Sequence, residues 1–294
     1  MRILHLTDTH LAAGGALHHG IVDTLESLDR VLASVTPDTV IDLVVASGDL
    51  SDDGSVESYE VLRDRIEPWA RDRGAAVVYA MGNHDTRASF ASVLGGNPES
   101  PLDSSTVIAG TRVLVLDSTV PGAGYGLLRP EQLDWVRNEL RTPAPSGSLV
   151  VLHHPPVPAA TELLQALALQ NPSDLMAAVV GSDVRAILAG HYHHALATAV
   201  SGIPVLVAPA VANRADVLAE AGTERAVFGA GAAVVDLGTD GSVRTVALAV
   251  GSPRDGEELF VLDAAAVRRI AIEAGPPGTD QRSASLSARA ASPG

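Results

Sequence analysis

Short apolar runs recur along the chain at Ile3 to Leu6, Leu43 to Ala46, Val77 to Ala80, Val113 to Leu116, Leu149 to Leu152 and Ala186 to Ala189. Their length and aliphatic character predict strands buried on both faces. Between the first two runs, Ile21, Leu25, Leu28, Leu32 and Val35 follow one another at intervals of four, three, four and three, the spacing of one buried helical face. Tyr59, Leu62, Ile66 and Trp69 repeat that spacing and predict a second helix. A third opens at Pro130, whose fixed φ suits a first turn, and buries Leu133, Val136 and Leu140. Strands and helices alternate, so the fold class is α/β with helices covering the sheet faces.

From about Leu196 the pattern changes. Ala199 to Val207, Ala226 to Leu237 and Val243 to Val250, with Gly and Asp between them, read as hairpin strands, so the second half is expected to be mostly antiparallel. Residues 275–294 are rich in Pro, Gly, Ser and Ala and read as a mobile tail. The expected organisation is one main domain over 1–252, a C-terminal extension with a short helix over 253–274, and the tail over 275–294. No repeat of 20 to 50 residues is visible, which removes solenoids and propellers.

Composition narrows the chemistry. With 46% hydrophobic and 19% charged residues the chain can bury a full core. It has no cysteine, which excludes disulfides, iron–sulfur clusters and thiol nucleophiles, so a metal must be held by histidine, carboxylate or amide. All 20 basic residues are arginine, which removes P-loop lysine chemistry and lysine Schiff bases. A net charge of −15 argues against long nucleic acid as a partner, since backbone binding needs clustered cations. No apolar run approaches the roughly 18 to 20 residues needed to cross a bilayer. The segment from Met1 to Asp8 lacks a long apolar signal core, and the expected location is cytoplasmic.

The polar residues that end the strand runs carry the chemistry. They are Asp8-Thr9-His10, Ser47-Gly48-Asp49, Gly82-Asn83-His84-Asp85, His153-His154-Pro155-Pro156 and Gly190-His191-Tyr192-His193. In open α/β sheets the carboxyl ends of strands face a common crevice where ligands bind. Asp8, His10, Asp49, Asn83, His153, His191 and His193 together exceed what one ion needs, whereas two ions sharing a bridging carboxylate use all seven. Extended backbone at Asp8-Thr9-His10 and His191-Tyr192-His193 would place alternate side chains on one side. Glycines 48, 82 and 190 would let the chain turn tightly beside the metals.

In this order, Asp-x-His, Gly-Asp, Gly-Asn-His-Asp, His and Gly-His-x-His resemble the signature of the calcineurin-like metallophosphoesterases, and the resemblance spans roughly residues 1 to 250. The blocks Ile3 to His10, Met81 to Asp85, Leu152 to Pro156 and Ala186 to His191, with Asp117 to Gly122, look like those of bacterial class III cyclic nucleotide phosphodiesterases. That resemblance implies a two-sheet sandwich flanked by helices in α-β-β-α layers. It implies that Asp8, His10 and His193 bind one metal, that Asn83, His153 and His191 bind the second, and that Asp49 bridges. The metals would be iron or manganese, with zinc or cobalt as alternatives. His84 resembles the family's catalytic histidine, which assists leaving-group departure while a hydroxide shared by the metals attacks phosphorus. Asp85 is expected to orient His84. The implied substrate is a small anionic phosphodiester: 3′,5′-cyclic AMP, with 2′,3′-cyclic nucleotides as an alternative. A homodimer is the implied assembly. Other phosphodiesters, phosphomonoesters and nucleotide pyrophosphates are the alternatives within the family, and a scaffold without chemistry is the rival outside it.

The remaining polar residues receive plainer readings. His154 is expected to pack or support ligands, and His5 and His194 to be structural. His18 and His19 read as part of an exposed Gly-rich loop, Asp52 and Asp53 as capping or turn residues, and Gly122 to Gly126 as a turn. Trp69 and Trp135 read as packing residues. The stretches Gly122 to Leu128 and Ala208 to Asn213 match no substrate-side loop of the subfamily.

Overall fold

Each of the six apolar runs lies in a strand, and alternation along those strands decides which layer each side chain joins. The computed structural model describes residues 1–277. In chain order the elements are β1 (Arg2–Leu6), α1 (Thr24–Ser34), β2 (Leu43–Ser47), α2 (Val56–Arg71), β3 (Ala76–Ala80), α3 (Arg87–Leu94), β4 (Ser104–Ile108), β5 (Thr111–Leu116), α4 (Pro130–Glu139), β6 (Ser148–Leu152), α5 (Glu162–Ala166), α6 (Pro172–Val179) and β7 (Val184–Ala189). They continue with β8 (Leu196–Val200), β9 (Ile203–Val207), β10 (Arg214–Ala215), β11 (Glu224–Val227), β12 (Ala230–Leu237), β13 (Val243–Val250), β14 (Glu258–Leu262) and α7 (Ala264–Ala274).

One sheet has the order β13-β12-β1-β2-β3 and the other β4-β5-β6-β7-β9-β8, with β10-β11-β14 as a small third sheet. Ile3, Leu43 and Val45 meet Val113, Val115, Leu149, Val151 and Leu188 between the two large sheets. The alternate residues point outward. Leu4, Leu6, Val44 and Ala46 pack with Leu28, Val31, Tyr59, Leu62 and Ile66 of α1 and α2. Leu114, Leu116, Val150 and Leu152 pack with Leu133 and Val136 of α4 and Leu175 and Val179 of α6. The layers are therefore α-β-β-α. Because both sheets are covered on both faces, their central strands read as unbroken apolar runs rather than as alternating ones.

The helices start where local chemistry supplies a partner for the first N–H groups. Asp23 accepts from Glu26 N at 2.8 Å before α1, and Ser55 accepts from Ser58 N at 3.1 Å before α2. The Asp23 cap corrects the sequence reading, which began the helical face at Ile21. Ile21 is 42% exposed and sits in a turn closed by His18 and Val22. Three further expectations change. Val77 to Tyr79 are only half-buried, because β3 is the edge of its sheet. The run Ala226 to Leu237 is broken at Phe228-Gly229: β11 joins the small sheet and only β12 pairs with β13. In the second half, β9 returns parallel to β7 although β8 and β9 form the expected hairpin. The expected C-terminal extension contains its helix, α7, and also β14, which pairs with β11. Residues 278–294, most of the expected tail, lie outside the described residues.

Leu188 lies fully buried between the sheets, whereas Val107 on β4 is 58% exposed. Leu188→Ala is expected to lower unfolding free energy in urea by about 2–5 kcal/mol, and Val107→Ala by no more than about 0.5 kcal/mol. Equal, small losses at both positions would contradict the inter-sheet packing.

Candidate metal centre

Strands β1, β2 and β3 run parallel in one sheet and β5, β6 and β7 in the other. Their carboxyl ends converge. Asp49, after β2, brings Oδ2 to 3.2 Å from His153 Nε2, after β6. Asp8, after β1, brings Oδ1 to 3.3 Å from His193 Nε2, after β7. Asp49 Oδ2 is also 3.8 Å from His10 Nε2, so this carboxylate stands between two sets of histidines.

That convergence needs backbone where side chains do not fit. A Cβ on Gly48, at φ +100°, would lie 2.5 Å from His153 Nδ1. On Gly190 it would collide with the Thr7 hydroxyl, and on Gly82 with Asp49. Gly48 thus has the tight-turn role read from the sequence, while the other two serve close approach. Asp8 (φ 51°), His10 (43°), Asp49 (48°), His191 (69°) and His193 (50°) all adopt the left-handed conformation. The extended backbone expected at the two i, i+2 pairs is therefore absent. A left-handed residue turns the chain at each position, so both side chains of a pair reach one centre from a tight loop.

Each of the four candidate histidine ligands has one ring nitrogen held by the protein. His153 Nδ1 donates to Ser47 O at 2.9 Å, His10 Nδ1 to Asp52 Oδ1 at 3.1 Å, His193 Nδ1 to Asn213 Oδ1 at 3.1 Å, and His191 Nε2 to Leu167 O at 3.1 Å. In the neutral ring these bonds place the proton on the held nitrogen and leave the opposite one as a lone-pair donor, the arrangement metal-binding histidines require. The carboxylates are held as well. Asp8 Oδ2 accepts from Thr7 Oγ1 at 2.8 Å and from His191 N at 3.0 Å, and Asp49 Oδ1 accepts from His84 N at 2.8 Å.

The donors fit a cation. The Nε2 atoms of His10 and His193 lie 3.3 Å apart, and His193 Nε2 is also 3.3 Å from Asp8 Oδ1, so nitrogen and carboxylate donors converge on one point. Asn83 Oδ1 is buried without a hydrogen-bond partner, a costly state for an amide oxygen unless something else satisfies it. Asp8, His10 and His193 offer ligand atoms within 4.8 Å of one another, as do Asp8, Asp49 and His153.

Electrostatics follow from burial and charge. Burial pushes the Asp8 carboxyl upward, but His193 and His153 hold it well below the carboxylate range. Asp49 behaves likewise, with His153 and His84 outweighing burial. Burial disfavours charge on His153, yet Asp49 and Asp8 lift it to about 9. Burial lowers His10 to about 4 and His191 to about 3. Burial disfavours charge on His193 too, yet Asp8 and Asp49 raise it. The centre thus combines two ionised carboxylates with two imidazoles, His10 and His191, that burial keeps neutral, and two, His153 and His193, whose protons the carboxylates favour.

His84 stands at the rim, with its side chain 45% exposed and its ring edge-on to His10 at 4.8 Å. Asp85 does not orient it. Asp85 instead accepts from Leu50 N, Ser51 N, Gly82 N and Tyr59 Oη at 2.8–3.2 Å, which fastens the Asp49 loop to the Asn83 loop. Asp52, read from sequence as a cap or turn residue, is the partner of His10 and lies 3.0 Å from His18 Nδ1 and 3.9 Å from His84 Nδ1. Its position three residues after Asp49 was the available signal. Asp53 does hold a turn, accepting from Ser55 N and Ala13 N. His18 is only 4% exposed, against the expected solvated loop, because it packs between His10 and His19. His154 has both nitrogens engaged, with Ser118 Oγ and Gly124 O, and is thereby less suited to bind metal than His153. His5 bonds Ser47 Oγ, and His194 stacks on Tyr192. Asn213 lies in the stretch Ala208 to Asn213, which matches no substrate-side loop of the subfamily.

The calcineurin-like phosphoesterase family model matches residues 1–195. A probable cyclic nucleotide phosphodiesterase of Rhodococcus erythropolis is 40% identical over 265 residues, covering 87% of this chain and 88% of that protein. A cAMP/cGMP dual specificity phosphodiesterase of Mycobacterium tuberculosis is 39% identical over 273 residues, covering 92% and 85%. Among solved structures, purple acid phosphatase from yellow lupin seeds aligns with a TM-score of 0.58 at 15% identity, over 95% of this chain and 57% of that one, which speaks to the fold alone. Family model, relatives and fold agree: the chain belongs to the calcineurin-like phosphoesterase family.

Proposed function

We propose that this phosphoesterase hydrolyses cyclic nucleotides, 3′,5′-cyclic AMP among them, at a centre of two metal ions. The observation that carries the reading is the set of oriented, buried donors at the strand ends, joined to the substrates named for relatives near 40% identity. Asp8, His10 and His193 would hold one ion, Asn83, His153 and His191 the other, and Asp49 both. The position of Asp49 Oδ2 between His10 and His153 supports its bridging role. Nitrogen and carboxylate donors suit iron or manganese, and also zinc or cobalt. Such ions supply Lewis acidity toward phosphoryl oxygens and make water nucleophilic at neutral pH.

The residues do the rest. The anchored histidines keep the donors in place without reorganisation. The ring of His84, on the solvent side, gives a proton to the nucleotide oxygen that leaves as the water oxygen bonds to phosphorus and the P–O bond breaks. The His84 backbone N–H bond to Asp49 fixes its distance from the centre, and Asp52 lies near enough to steady the ring. Among the described residues no helix is long and apolar enough to cross a membrane.

Protein reconstituted with manganese is expected to turn over both 3′,5′-cyclic AMP and bis(p-nitrophenyl) phosphate, with loss of both after metal stripping. Cleavage of the nitrophenyl diester alone would move the substrate to another phosphodiester, and cleavage of neither would favour a scaffold. His84→Ala is expected to lower kcat on cyclic AMP by about 10² to 10⁴, with a smaller loss on the nitrophenyl ester, whose leaving group needs no proton. Equal losses would remove the proton-donor role. Metal must displace the proton that His153 holds up to about pH 9, and His193 is raised as well. Loading measured by metal titration should therefore strengthen by about tenfold or more per pH unit from pH 6 toward 9, then level off. A flat profile would contradict this.

A further inference from the structure

His18 and His19 belong to the loop between His10 and α1, and the reaction described above uses neither. The ring of His18 packs on that of His10 with centroids 4.6 Å apart and on that of His19 at 4.1 Å. His19 in turn meets Phe260 of β14 edge-on at 4.8 Å. The rings form a continuous ladder from a candidate ligand to the C-terminal part of the chain. Phe260 lies beyond residues 1–195, the segment that the family model matches.

That rung is fixed relative to the metal centre. β14 pairs with β11 and β11 with β10. At the end of β10, Ala215 N donates to His193 O at 3.1 Å, and Asn213 Oδ1, just before β10, accepts from His193 Nδ1. Further along the same segment, Ala274 O accepts from Gly124 N at 2.8 Å. The outer rungs are also open to a ligand. His19 is exposed and Phe260 half-buried, whereas His18 beneath them is covered. Two ring steps, of 4.6 and 4.1 Å, separate His19 from His10.

We propose that His19 and Phe260 form a stacking platform for the nucleobase, with the phosphate of the same molecule at the metal centre. The inference deepens the cyclic-nucleotide reading and rests on it. Every base presents a π face, so such a platform holds adenine and guanine alike and discriminates nucleotides from phosphate esters without a flat ring.

The test uses the full chain loaded with manganese, bis(p-nitrophenyl) phosphate as reporter, and 5′-AMP and inorganic phosphate as competing inhibitors. The wild type is expected to bind 5′-AMP more tightly than phosphate. Phe260→Leu and His19→Ala should each cut that preference by about 5- to 50-fold, Phe260→Trp should keep it, and metal content and phosphate inhibition should stay as in the wild type. An unchanged preference in Phe260→Leu and His19→Ala, with cyclic AMP still hydrolysed, would overturn the platform and leave the function standing. Metal loss, or phosphate inhibition weakened in step with 5′-AMP, would make both residues structural and overturn it too. A wild type that neither hydrolyses cyclic AMP nor prefers 5′-AMP to phosphate would sink both readings.

Discussion

The site depends on how closely the backbones approach where the two sheets end. Thr7 and Asp8 lie against Gly190, Asp49 against Gly82, and His153 against Gly48, each at a distance that a single Cβ would violate. This approach brings carboxylates from one sheet among histidines from the other. It is unfavourable in isolation. Left-handed backbone at Asp8, His10, Asp49, His191 and His193 costs about 1–3 kcal/mol per residue, and burying two carboxylates adds a desolvation cost. The apolar layer between the sheets, including Ile3, Val45, Val151 and Leu188, holds the strand ends together against those costs. A cation shared by the facing donors would offset much of them, which couples metal binding to folding stability.

The anchors that orient the histidines come from separate parts of the chain. Ser47 ends β2, Asp52 precedes α2, Leu167 follows α5 and Asn213 precedes β10. Three of the four use a protein oxygen to hold Nδ1 and free Nε2, and His191 uses the reverse pattern. The same burial that lowers His10 and His191 keeps them neutral at physiological pH, and the two carboxylates favour protons on His153 and His193. Placement of donors and control of protonation are thus consequences of one packing arrangement.

The small third sheet adds to this centre from outside the segment matched by the family model. It is joined to the His193 loop by Asn213 and Ala215, and to α7 through the turn after β14. Asn213 thereby ties an element of the C-terminal part of the chain to the orientation of a candidate ligand, His193.

Much of this was legible in the sequence. The apolar runs fall in strands because doubly covered sheets demand continuous hydrophobicity, and the polar residues after them meet because parallel strands end on a common side. Local rules sufficed wherever the deciding neighbours were close in sequence, as for the helix opened by Pro130. They failed where the neighbour is distant. Asp52 looks like a turn residue until His10, 42 positions earlier, is brought to it. His18 looks exposed until His10 covers it, and Asp85 looks like a partner of His84 until the Asp49 loop and Tyr59 claim its oxygens. The split at Phe228-Gly229 had no local signal, because strands of two different sheets are equally apolar. Sequence alone determined which residue types end each strand and hence the class of chemistry. Tertiary structure decided the left-handed turns, the tautomers and the second layer of contacts, because each is set by atoms that only folding brings within hydrogen-bond reach.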